Sequence, residues 1–397
     1  MNTGKTEQVQ GPQKGTRSRR ALIQEGLWVG GVALVLVVGL PLVLSDFRLS
    51  LLGRFLALAI VALGIDLIWG FTGLLSLGHG IFFALGGYAL AMHLNLQLPE
   101  GQLPEFFPLY GVTRLPLFWQ PFYSFPLTLA AIVIIPGIVA ALLGYLVFRN
   151  RIRGVYFSIL TQAALVVFFN LFNGQQKLIN GTNGLKTSTQ TLFGQEVGST
   201  AMQVKFYGLT VLFLAITYLL CRWLTSGRFG RLLVAIRDDE SRVRFSGYDP
   251  TLFKVLVFGI SGTIAGVAGA LYTVQSGIVS PQYMDIAFSI EMVIWVAVGG
   301  RATLVGPIVG AVAVNYGRSL LSEKFPEVWL FFQGALFLGV VTVLPDGIVG
   351  WLRYRALDQI RHLLGKPAYV ATYPSLELSE EVRYEKEELS HPPQKDP

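Results

Sequence analysis

Several polar or ionisable side chains lie inside long apolar stretches, where each costs free energy unless it has a partner or faces a cavity. They are Asp66, Ser76, His79, Gln162, Asn170, Ser289, Glu291 and Asn315. Hydroxyl and amide groups in such positions could hydrogen-bond a polar solute, and an ionisable group could carry a proton. The residues that we predict to line a solute pathway are Ser76, His79, Gln162, Asn170, Ser289 and Glu291.

The ionisable members of this set have two interpretations each. His79, in SLGHG, could carry protons, but no carboxylate lies near it in the sequence, so a hydrogen-bonded packing role is favoured. Asp66 and Glu291 could pair with Arg54 or Arg301, or could simply lie near the membrane interface.

Motifs for covalent or metal chemistry are missing from the sequence. Gly4-Lys5-Thr6 resembles the end of a phosphate loop, but no glycine can stand five residues before Gly4. Ser261 lies in GISGT, which lacks the final glycine of a nucleophile elbow. The remaining histidines lack ligand spacing, and Cys221 is the single cysteine. We therefore expect no enzyme activity, no metal and no cofactor bound by this chain.

A second concentration of polar residues, which we call the basic segment, runs from Arg222 to Lys254 between two apolar stretches. A basic loop between spans is expected on the cytoplasmic side, and topology alone would explain many of its charges. Its internal order goes further, because an apolar face around Leu233 and Ile236 is followed by charges and then by Gly247. This pattern predicts a small amphipathic helix ended by glycine. Such a helix could dock into a groove on a soluble partner, with the apolar face as anchor.

The whole chain is apolar enough to be a membrane protein. Of its 397 residues, 52% are hydrophobic and 14% are charged. The net charge of +7 comes largely from arginines beside apolar stretches, which argues for topology and against nucleic-acid binding. We predict an all-α, polytopic transmembrane bundle in the plasma membrane, which in a bacterium is the inner membrane.

A span needs about 20 mostly apolar residues, and ten stretches come near that length. They are Trp28–Leu44, Leu51–Trp69, Leu74–Leu94, Leu127–Phe148, Val155–Phe172, Phe206–Trp223, Leu252–Val274, Ile286–Val298, Thr303–Leu321 and Val328–Leu344. Ile286–Val298 is short, so it could be tilted, broken or re-entrant. With both termini in the cytoplasm, most basic loops fall inside, although Arg48 and Arg54 do not fit this rule.

The parts outside the spans divide into arms and loops. Residues 1–20 are predicted to be a flexible cytoplasmic arm, residues 21–352 the transmembrane domain, and residues 353–397 a charged cytoplasmic tail. Two long outer segments are expected, an aromatic cap at Asn95–Phe125 and a polar loop at Asn173–Lys205. The amides of the second segment could line an outer mouth, and a plain turn-rich loop explains its glycines equally well.

A weak internal echo joins two distant stretches. GLLSLGHGIFFALGGY (73–88) and SPQYMDIAFSIEMVIWVAVGG (280–300) each place small or polar residues before an apolar run that ends in Gly-Gly. Duplicated halves are common among transporters, and their substrate path lies at the interface between the halves.

The basic segment also resembles the coupling segment of a family of ABC importers, the branched-chain amino acid permeases. Its pattern G-R-x-x-x-A-I-R-x-x-E…G is similar to theirs. The positions that carry the resemblance are Gly230, Arg231, Ala235, Ile236, Arg237, Glu240 and Gly247. GIDLIWGFTGLLSLGHGIFFALGGYAL and GIVSPQYMDIAFSIEMVIWVAVGGRATLVGPIVGA extend the resemblance over nearly all of the membrane region. It implies that the seven positions contact an ATPase.

Within that family the chain is most similar to the C-type permease subunit of urea importers. FNGQQKLINGTNGL and the stretch from Asn315 to Trp351 carry this narrower likeness. The resemblance implies a second related permease subunit, two ATPase subunits that use ATP, and an external solute-binding protein. Urea is the expected cargo, with branched-chain amino acids or short amides as the alternative. An ion-coupled carrier or a channel is the alternative from another class.

Overall fold

The computed structural model describes residues 19–99, 102–325, 331–332, 334–335, 338–339, 342 and 347–352. This part of the chain is mostly helical. The first helix, α1 (Arg19–Leu34), passes through a π-helical turn into α2 (Leu40–Val43). The longer helices that follow are α3 (Asp46–Thr72), α4 (His79–Asn95), α6 (Phe125–Arg149), α7 (Val155–Gly174), α9 (Thr200–Ser226), α12 (Pro250–Ser276), α13 (Ile286–Gly299) and α14 (Val305–Lys324).

Short helices and strands fill the connections. The short helices are α5 (Phe106–Leu109), α8 (Gln176–Ile179), α10 (Arg228–Asp238), α11 (Glu240–Phe245) and α15 (Gly347–Trp351). Strand β1 (Leu185–Lys186) pairs antiparallel with β4 (Ile278–Val279). Strands β2 (Thr191–Leu192) and β3 (Gln195–Glu196) form a hairpin. Both ladders lie in the segments that connect the long helices at one end of the bundle.

Helices α3 and α12 form the centre of the bundle. Helix α3 is buried along most of its length and packs against α9, α12 and α14. Helix α12 packs against α3, α4 and α6. It starts where Pro250 fills the first helical position and the Asp249 carboxylate accepts from the Thr251 amide at 2.9 Å, and it ends at Gly277, whose φ is 80°.

The outer helices expose their apolar sides. No residue in the apolar 18-residue stretch Gly26–Val43 is buried inside the protein. In the most apolar 18-residue stretches of α6 and α7, only about a quarter of the residues are buried. Side chains such as Leu129, Ile138 and Val167 remain about half exposed. Apolar surface on this scale indicates contact with lipid or with another membrane chain.

The structure confirms part of the predicted span count. Six helices among the described residues are long and apolar enough to cross a membrane: Gly26–Val43, α3, α6, α7, α9 and α12. The predicted span Leu74–Leu94 was wrong at its start, because residues 73–78 are not helical and α4 begins at His79. More than half of the predicted span Val328–Leu344 lies outside the described residues, and residues 1–18 and 353–397 lie wholly outside them. Ten spans and cytoplasmic termini stay predictions.

The basic loops collect at one end of the bundle. Arg153, between α6 and α7, reaches Glu240 in the basic segment, and Arg237 reaches the last turn of α3. Arg301, between α13 and α14, lies over the ring of Trp69 at 5.6 Å. We call this end the basic end; the positive-inside rule predicts that it lies in the cytoplasm.

Candidate functional site

The basic segment contains two short helices instead of the one that the pattern predicted. Helix α10 ends at Asp238, and α11 starts two residues later at Glu240. Asp239 separates them in an extended conformation, and its carboxylate accepts from the Arg242 amide at 3.0 Å. An acidic side chain that caps the amides of a first turn starts a new helix. The Asp239-x-x-Arg242 spacing was the signal that sequence reasoning missed.

The apolar face of α10 points into the protein, which corrects the prediction that it anchors a soluble partner. Leu233 and Ile236 are buried beside α3 and α9. Gly230 is buried as well, and a Cβ there would overlap the backbone carbonyl of Thr225. An amphipathic helix at the edge of a bundle gains more from burying its apolar stripe on its own core than from leaving it for a partner. These three residues therefore hold the basic segment in place.

Glu240 fastens the basic segment to the transmembrane helices. Its side chain is 8% exposed, accepts from Arg244 at 2.8 Å and from Lys254 at 3.0 Å, and forms an ion pair with Arg153 at 3.1 Å. Burial alone raises the pKa of Glu240, but the hydrogen bonds from Arg244 and Lys254 and the charge of Arg153 outweigh it, so that pKa lies below its ordinary value. Lys254 is fully buried in the first turn of α12, 5.0 Å from the ring centroid of Phe148. One carboxylate thus joins α11, α12 and the loop between α6 and α7.

Arg237 makes a second fastening. Its guanidinium donates to the carbonyl of Gly70 at 3.0 Å, in the last turn of α3, and pairs with Asp238 at 3.1 Å. A cation at a helix C-terminus meets carbonyls that lack intrahelical donors. Its stem also passes 3.0 Å from where a Cβ of Gly73 would stand. Movement of α10 would therefore pull on the end of α3.

The exposed side of the basic segment is charged and also carries the exposed aromatic side chains of Trp223, Phe245 and Tyr248. Arg231, Ala235 and Gly247 face outward, so three of the seven predicted coupling positions are available to a partner. Phe245, at the end of α11, is 93% exposed. Sequence reasoning missed it, because a single aromatic residue among arginines gives no periodic signal.

The pathway candidates Ser76 and His79 lie at the break between α3 and α4. His79 Nε2 is 2.7 Å from the hydroxyl of Ser261, which in turn donates to the carbonyl of Gly64 at 2.5 Å. Because that hydroxyl has one hydrogen, His79 donates through Nε2. Ser76 is buried, and its hydroxyl accepts from the Gly78 amide at 3.3 Å. His79 therefore has the hydrogen-bonded packing role that its surroundings favoured.

Helix α7 holds the non-helical stretch 73–78 in place. Ser158 donates to the carbonyl of Leu75 at 2.6 Å, and the amide of Leu77 donates to Thr161 at 3.0 Å. Non-helical backbone at membrane depth is tolerated only when it is buried in protein or lines a cavity. These two hydroxyls supply the partners that a helix would otherwise provide.

Ser289 and Glu291 lie on opposite sides of α13. Ser289 is buried, and its hydroxyl has no hydrogen-bond partner within the described chain. It faces α4, where a Cβ on Gly80 would stand 2.8 Å from it. Glu291 pairs with Arg318 of α14 at 2.6 Å, a partner that the sequence analysis did not name. Of these two residues, only Ser289 lies near the break before His79.

The two candidates on α7 lie apart from this group. Asn170 is exposed and donates to the carbonyl of Val166 in its own helix at 2.9 Å. Gln162 is partly buried one residue beyond Thr161. The structure therefore brings Ser76, His79 and Ser289 together and leaves Gln162, Asn170 and Glu291 outside that group.

Asp66 serves the backbone of the loop between α13 and α14. Its carboxylate accepts from the amides of Ala302 at 2.6 Å and Leu304 at 3.2 Å. Both of these residues have positive φ, 60° and 59°, which is unfavourable for side chains larger than glycine. The buried carboxylate stabilises this loop, and neither Arg54 nor Arg301 is its hydrogen-bond partner.

Among the residues that the structure describes, no group of three or more His, Cys, Asp or Glu side chains could hold a metal ion.

Two side-chain amides of the polar outer loop, residues 173–205, bind other groups of the same loop. Gln176 contacts Thr182 at 2.8 Å, and Asn180 donates to the carbonyl of Gly184 at 2.8 Å. A turn-rich loop accounts for these contacts.

Comparison with known proteins identifies the family. The chain is 28% identical to the high-affinity branched-chain amino acid transport permease LivM of Escherichia coli, over 81% of this chain and 74% of that protein. It is 23% identical to the probable branched-chain amino acid permease LivM of Methanocaldococcus jannaschii, over 73% and 89%. It is 24% identical to the fructose import permease FrcC of Rhizobium meliloti, over 58% and 65%. No solved structure matches the chain significantly.

The family model described as the permease component of the branched-chain amino acid transport system matches residues 47–341. That range includes the basic segment, the connections from α3 to α4 and from α12 to α13, and every pathway candidate. With six helices able to cross a membrane, the chain is a multi-pass integral membrane protein. It belongs to the branched-chain amino acid permease family of ABC transporters.

Proposed function

We propose that this chain is the permease subunit of an ATP-driven importer of urea. The observation that carries the importer role is the attachment of the basic segment. Glu240 and Arg237 tie α10 and α11 to α3, α12 and the loop after α6, while the opposite side of the segment is exposed. A partner that moves this segment would move helix ends directly. The chain itself binds no ATP in this proposal.

Urea as the cargo rests on the sequence resemblance and on neutral groups at the break. Ser76, Ser158, Thr161 and Ser289 carry hydroxyls, and the Glu291 carboxylate is neutralised by Arg318. Urea is small, neutral and rich in hydrogen-bonding groups, so such a lining suits it. Import of branched-chain amino acids is supported equally, since several relatives are named for that cargo. An ion-coupled carrier would ask more of His79, Asp66 and Glu291, whose hydrogen bonds and ion pairs serve the structure.

The proposal includes an assembly with a second related permease subunit, two ATPase subunits and an external solute-binding protein. The exposed side of the basic segment would receive the ATPase. Its ring Phe245 would fill a pocket there, and the surrounding charges would fix the register. The half-exposed apolar sides of α6 and α7 would face lipid or the second permease subunit.

Uptake in cells tests the cargo. We expect deletion of the gene to abolish uptake of micromolar labelled urea and to leave leucine uptake intact. Loss of leucine uptake alone would keep the importer class and replace the cargo. Unchanged uptake of every solute tried, in a cell with no second system, would sink the proposal.

Replacement of Phe245 tests the docking surface. Buried aromatic anchors typically contribute 2 kcal/mol or more to an interface, so Phe245→Ala should weaken ATPase retention by about thirtyfold. Phe193→Ala is the matched control, because Phe193 is 77% exposed on the hairpin at the far end of the bundle. Co-purification of the ATPase with each variant from detergent gives the measurement. Equal retention by both variants would exclude Phe245 from the interface.

A further inference from the structure

Two helices break inside the bundle in the same way. Helix α3 ends at Gly73, whose φ is 73°, and a non-helical stretch leads to the start of α4 at His79. Helix α12 ends at Gly277, whose φ is 80°, and a stretch made of strand β4 and one 3₁₀ turn (Pro281–Met284) leads to the start of α13. Each unit is a 27-residue helix, a left-handed glycine, a break and a shorter helix.

The two units run in opposite directions. The end of α3 lies at the basic end, where Arg237 reaches Gly70, and the start of α12 follows the basic segment at that same end. Helix α4 therefore runs away from the basic end, whereas α13 runs toward it and finishes beside the loop that Asp66 holds. Inverted repeats with broken helices are a recurrent arrangement in transporters, and their solute sites lie where the breaks meet.

The two breaks meet deep in the bundle. His79 contacts Ser261, which lies near the middle of the 27-residue α12. One residue further, a Cβ on Gly80 would stand 2.5 Å from the carbonyl of Tyr283, in the second break, and 2.8 Å from the hydroxyl of Ser289, in the first turn of α13. The starts of both shorter helices therefore touch. The contact closes this point in the conformation described.

The chemistry of the meeting point favours an oxygen atom from a solute. The amide of Ile81 bonds to the carbonyl of Gly78 at 3.1 Å, and the two amides before it, of His79 and Gly80, lie too early in α4 for an intrahelical acceptor. A helix start attracts negative charge. The start of α13 is already occupied, because the Asp285 carboxylate accepts from the Ile286 amide at 2.7 Å. The hydroxyl of Ser289 is 2% exposed, has no partner within the described chain and faces Gly80. This hydroxyl and the start of α4 converge as they would on a carbonyl or carboxylate oxygen.

Aromatic rings form a wall beside this point. Phe83 lies 5.5 Å from both Tyr272 and Phe288, and 5.8 Å from Tyr283, measured between ring centroids. Tyr272, Tyr283 and Phe288 are only partly buried. Pockets for small solutes combine a few polar groups with such apolar walls, and a planar amide or an aliphatic side chain packs on rings of this kind.

We infer that the start of α4 and the hydroxyl of Ser289 form a solute-binding site that opens when α4 and α13 separate, and that the site binds a carbonyl or carboxylate oxygen. The inference rests on the importer function proposed above and names the residues that handle the solute. Urea would present its carbonyl, and an amino acid would present its carboxylate. The His79–Ser261 hydrogen bond positions the start of α4.

Transport by the complete assembly in proteoliposomes tests the site. Ser289→Ala removes the hydroxyl without adding bulk, and we expect about tenfold slower uptake at unchanged membrane level and unchanged ATPase retention. Ser319→Ala, on α14 and away from the break, is the matched control and should transport like the unaltered chain. Gly80→Ala places a methyl group against Tyr283 and Ser289, and we expect uptake to fall while the solute-binding protein still stimulates ATP hydrolysis.

Thiol protection then separates solute contact from a merely structural role. Cys221 is fully buried, so Ser289→Cys in a Cys221→Ala background offers one thiol. We expect a small methanethiosulfonate reagent to modify that thiol only during ATP turnover, and the transported solute to slow the modification. Protection by urea assigns a carbonyl, and protection by leucine assigns a carboxylate.

Two results would overturn the site. One is normal uptake by Ser289→Ala, and the other is a thiol that neither solute protects during turnover. Both results are distinguishable from failure of the importer proposal itself. In that case deletion of the whole chain would leave uptake unchanged.

Discussion

Glu240 attaches the basic segment to the transmembrane helices through its ion pairs. Placed among arginines in the sequence, it resembles a surface charge. In the structure it is 8% exposed and forms ion pairs with three cations, one of which, Lys254, is fully buried. Removing one member of such a cluster leaves the others desolvated and unpaired, which is more costly than losing a surface ion pair. Glu240 is therefore a positioning residue that acts from inside the segment.

The first prediction concerns Glu240→Gln. The variant keeps the shape of the side chain but leaves Lys254 without an anion, and we expect about 3 kcal/mol of destabilisation, since Arg153 and Arg244 are partly exposed. Asp238→Asn is the matched control, because Asp238 is 48% exposed and should change stability by less than about 0.5 kcal/mol. Thermal unfolding of the purified chains in detergent gives both values. Equal midpoints would show that Glu240 is not a fastening.

A second prediction follows from the pKa of Glu240, which lies below its ordinary value of 4.5. A carboxyl group with a lowered pKa contributes stability above its unfolded pKa and loses that contribution as the pH falls through its folded pKa. We expect the stability difference between the unaltered chain and Glu240→Gln to be constant from neutral pH down to about 5.5 and to shrink below pH 4.5. Unfolding midpoints measured across this range check the sign. A difference that grew on acidification would contradict it.

Residue types predicted the polar positions of the chain but not their partners. Ser76, His79 and Ser289 could be selected because polar groups are rare in apolar stretches. That Glu291 pairs with Arg318, and that Asp66 holds the amides of Ala302 and Leu304, depends on packing between elements far apart in the chain. A single sequence carries no information on those distances.

At the scale of elements, close helix crossings hold the two broken units together. Helix α4 crosses α12 where a Cβ on Gly86 would overlap the backbone of Gly266. A second close contact in the same crossing places Gly269 of α12 against the carbonyl of Phe83 in α4. Without a hydrophobic driving force between spans, such backbone contact is a main source of association in lipid. The crossing therefore fixes the height at which α4 begins.

Gly86→Ala tests this crossing. The added methyl group has no space, and overpacking of this kind typically destabilises by about 1–3 kcal/mol. Gly208→Ala is the same change on α9, where the nearest atom would be Val37 Cγ1 at 3.9 Å, and we expect no loss of stability there. The two variants can be compared by thermal unfolding in detergent and by membrane level. A Gly86→Ala chain as stable as Gly208→Ala would mean that the crossing is looser than described.

The elements show where hydropathy alone misleads. The run 74–94 is apolar enough for a span, yet its first part is not helical, and the signals were Gly73 just before it and Ser76 and Gly78 within it. The short run at 286–298 is the continuous 14-residue α13, and a tilted or re-entrant course for it stays a prediction. Length and composition predict that a segment is buried, but glycine and serine decide where its helix begins.

At the scale of the whole molecule, the chain has two distinct ends. Arg153, the basic segment and Arg301 gather at one end, and both strand ladders lie in the connections at the other. The echo between residues 73–88 and 280–300 corresponds to the two breaks, although Gly86-Gly87 lies within α4 and Gly299-Gly300 ends α13. The sequence indicated a weak likeness between the two stretches but not the opposite directions of the two units, since direction depends on how many spans separate them.

The last stretch of the chain bears on the span count. Helix α14 has 20 residues, about 30 Å, and runs from the loop beside Asp66 to Lys324. Gly347, in α15, lies against Gly300 at the basic end again. Lys324 and Gly347 therefore lie at opposite ends of the bundle. The residues between them are largely outside the described chain.

The sidedness of three positions tests this arrangement as a whole. In a Cys221→Ala background, Phe245→Cys should react with a membrane-impermeant maleimide only in inside-out vesicles, because the basic segment belongs in the cytoplasm. Phe193→Cys should react only when the reagent reaches the outer face of the membrane in intact cells, since the 27-residue α9 separates it from the basic segment. Glu323→Cys, at the far end of α14, should behave like Phe193→Cys. A thiol at 323 that reacted from the same side as the thiol at 245 would show that α14 does not reach the outer face.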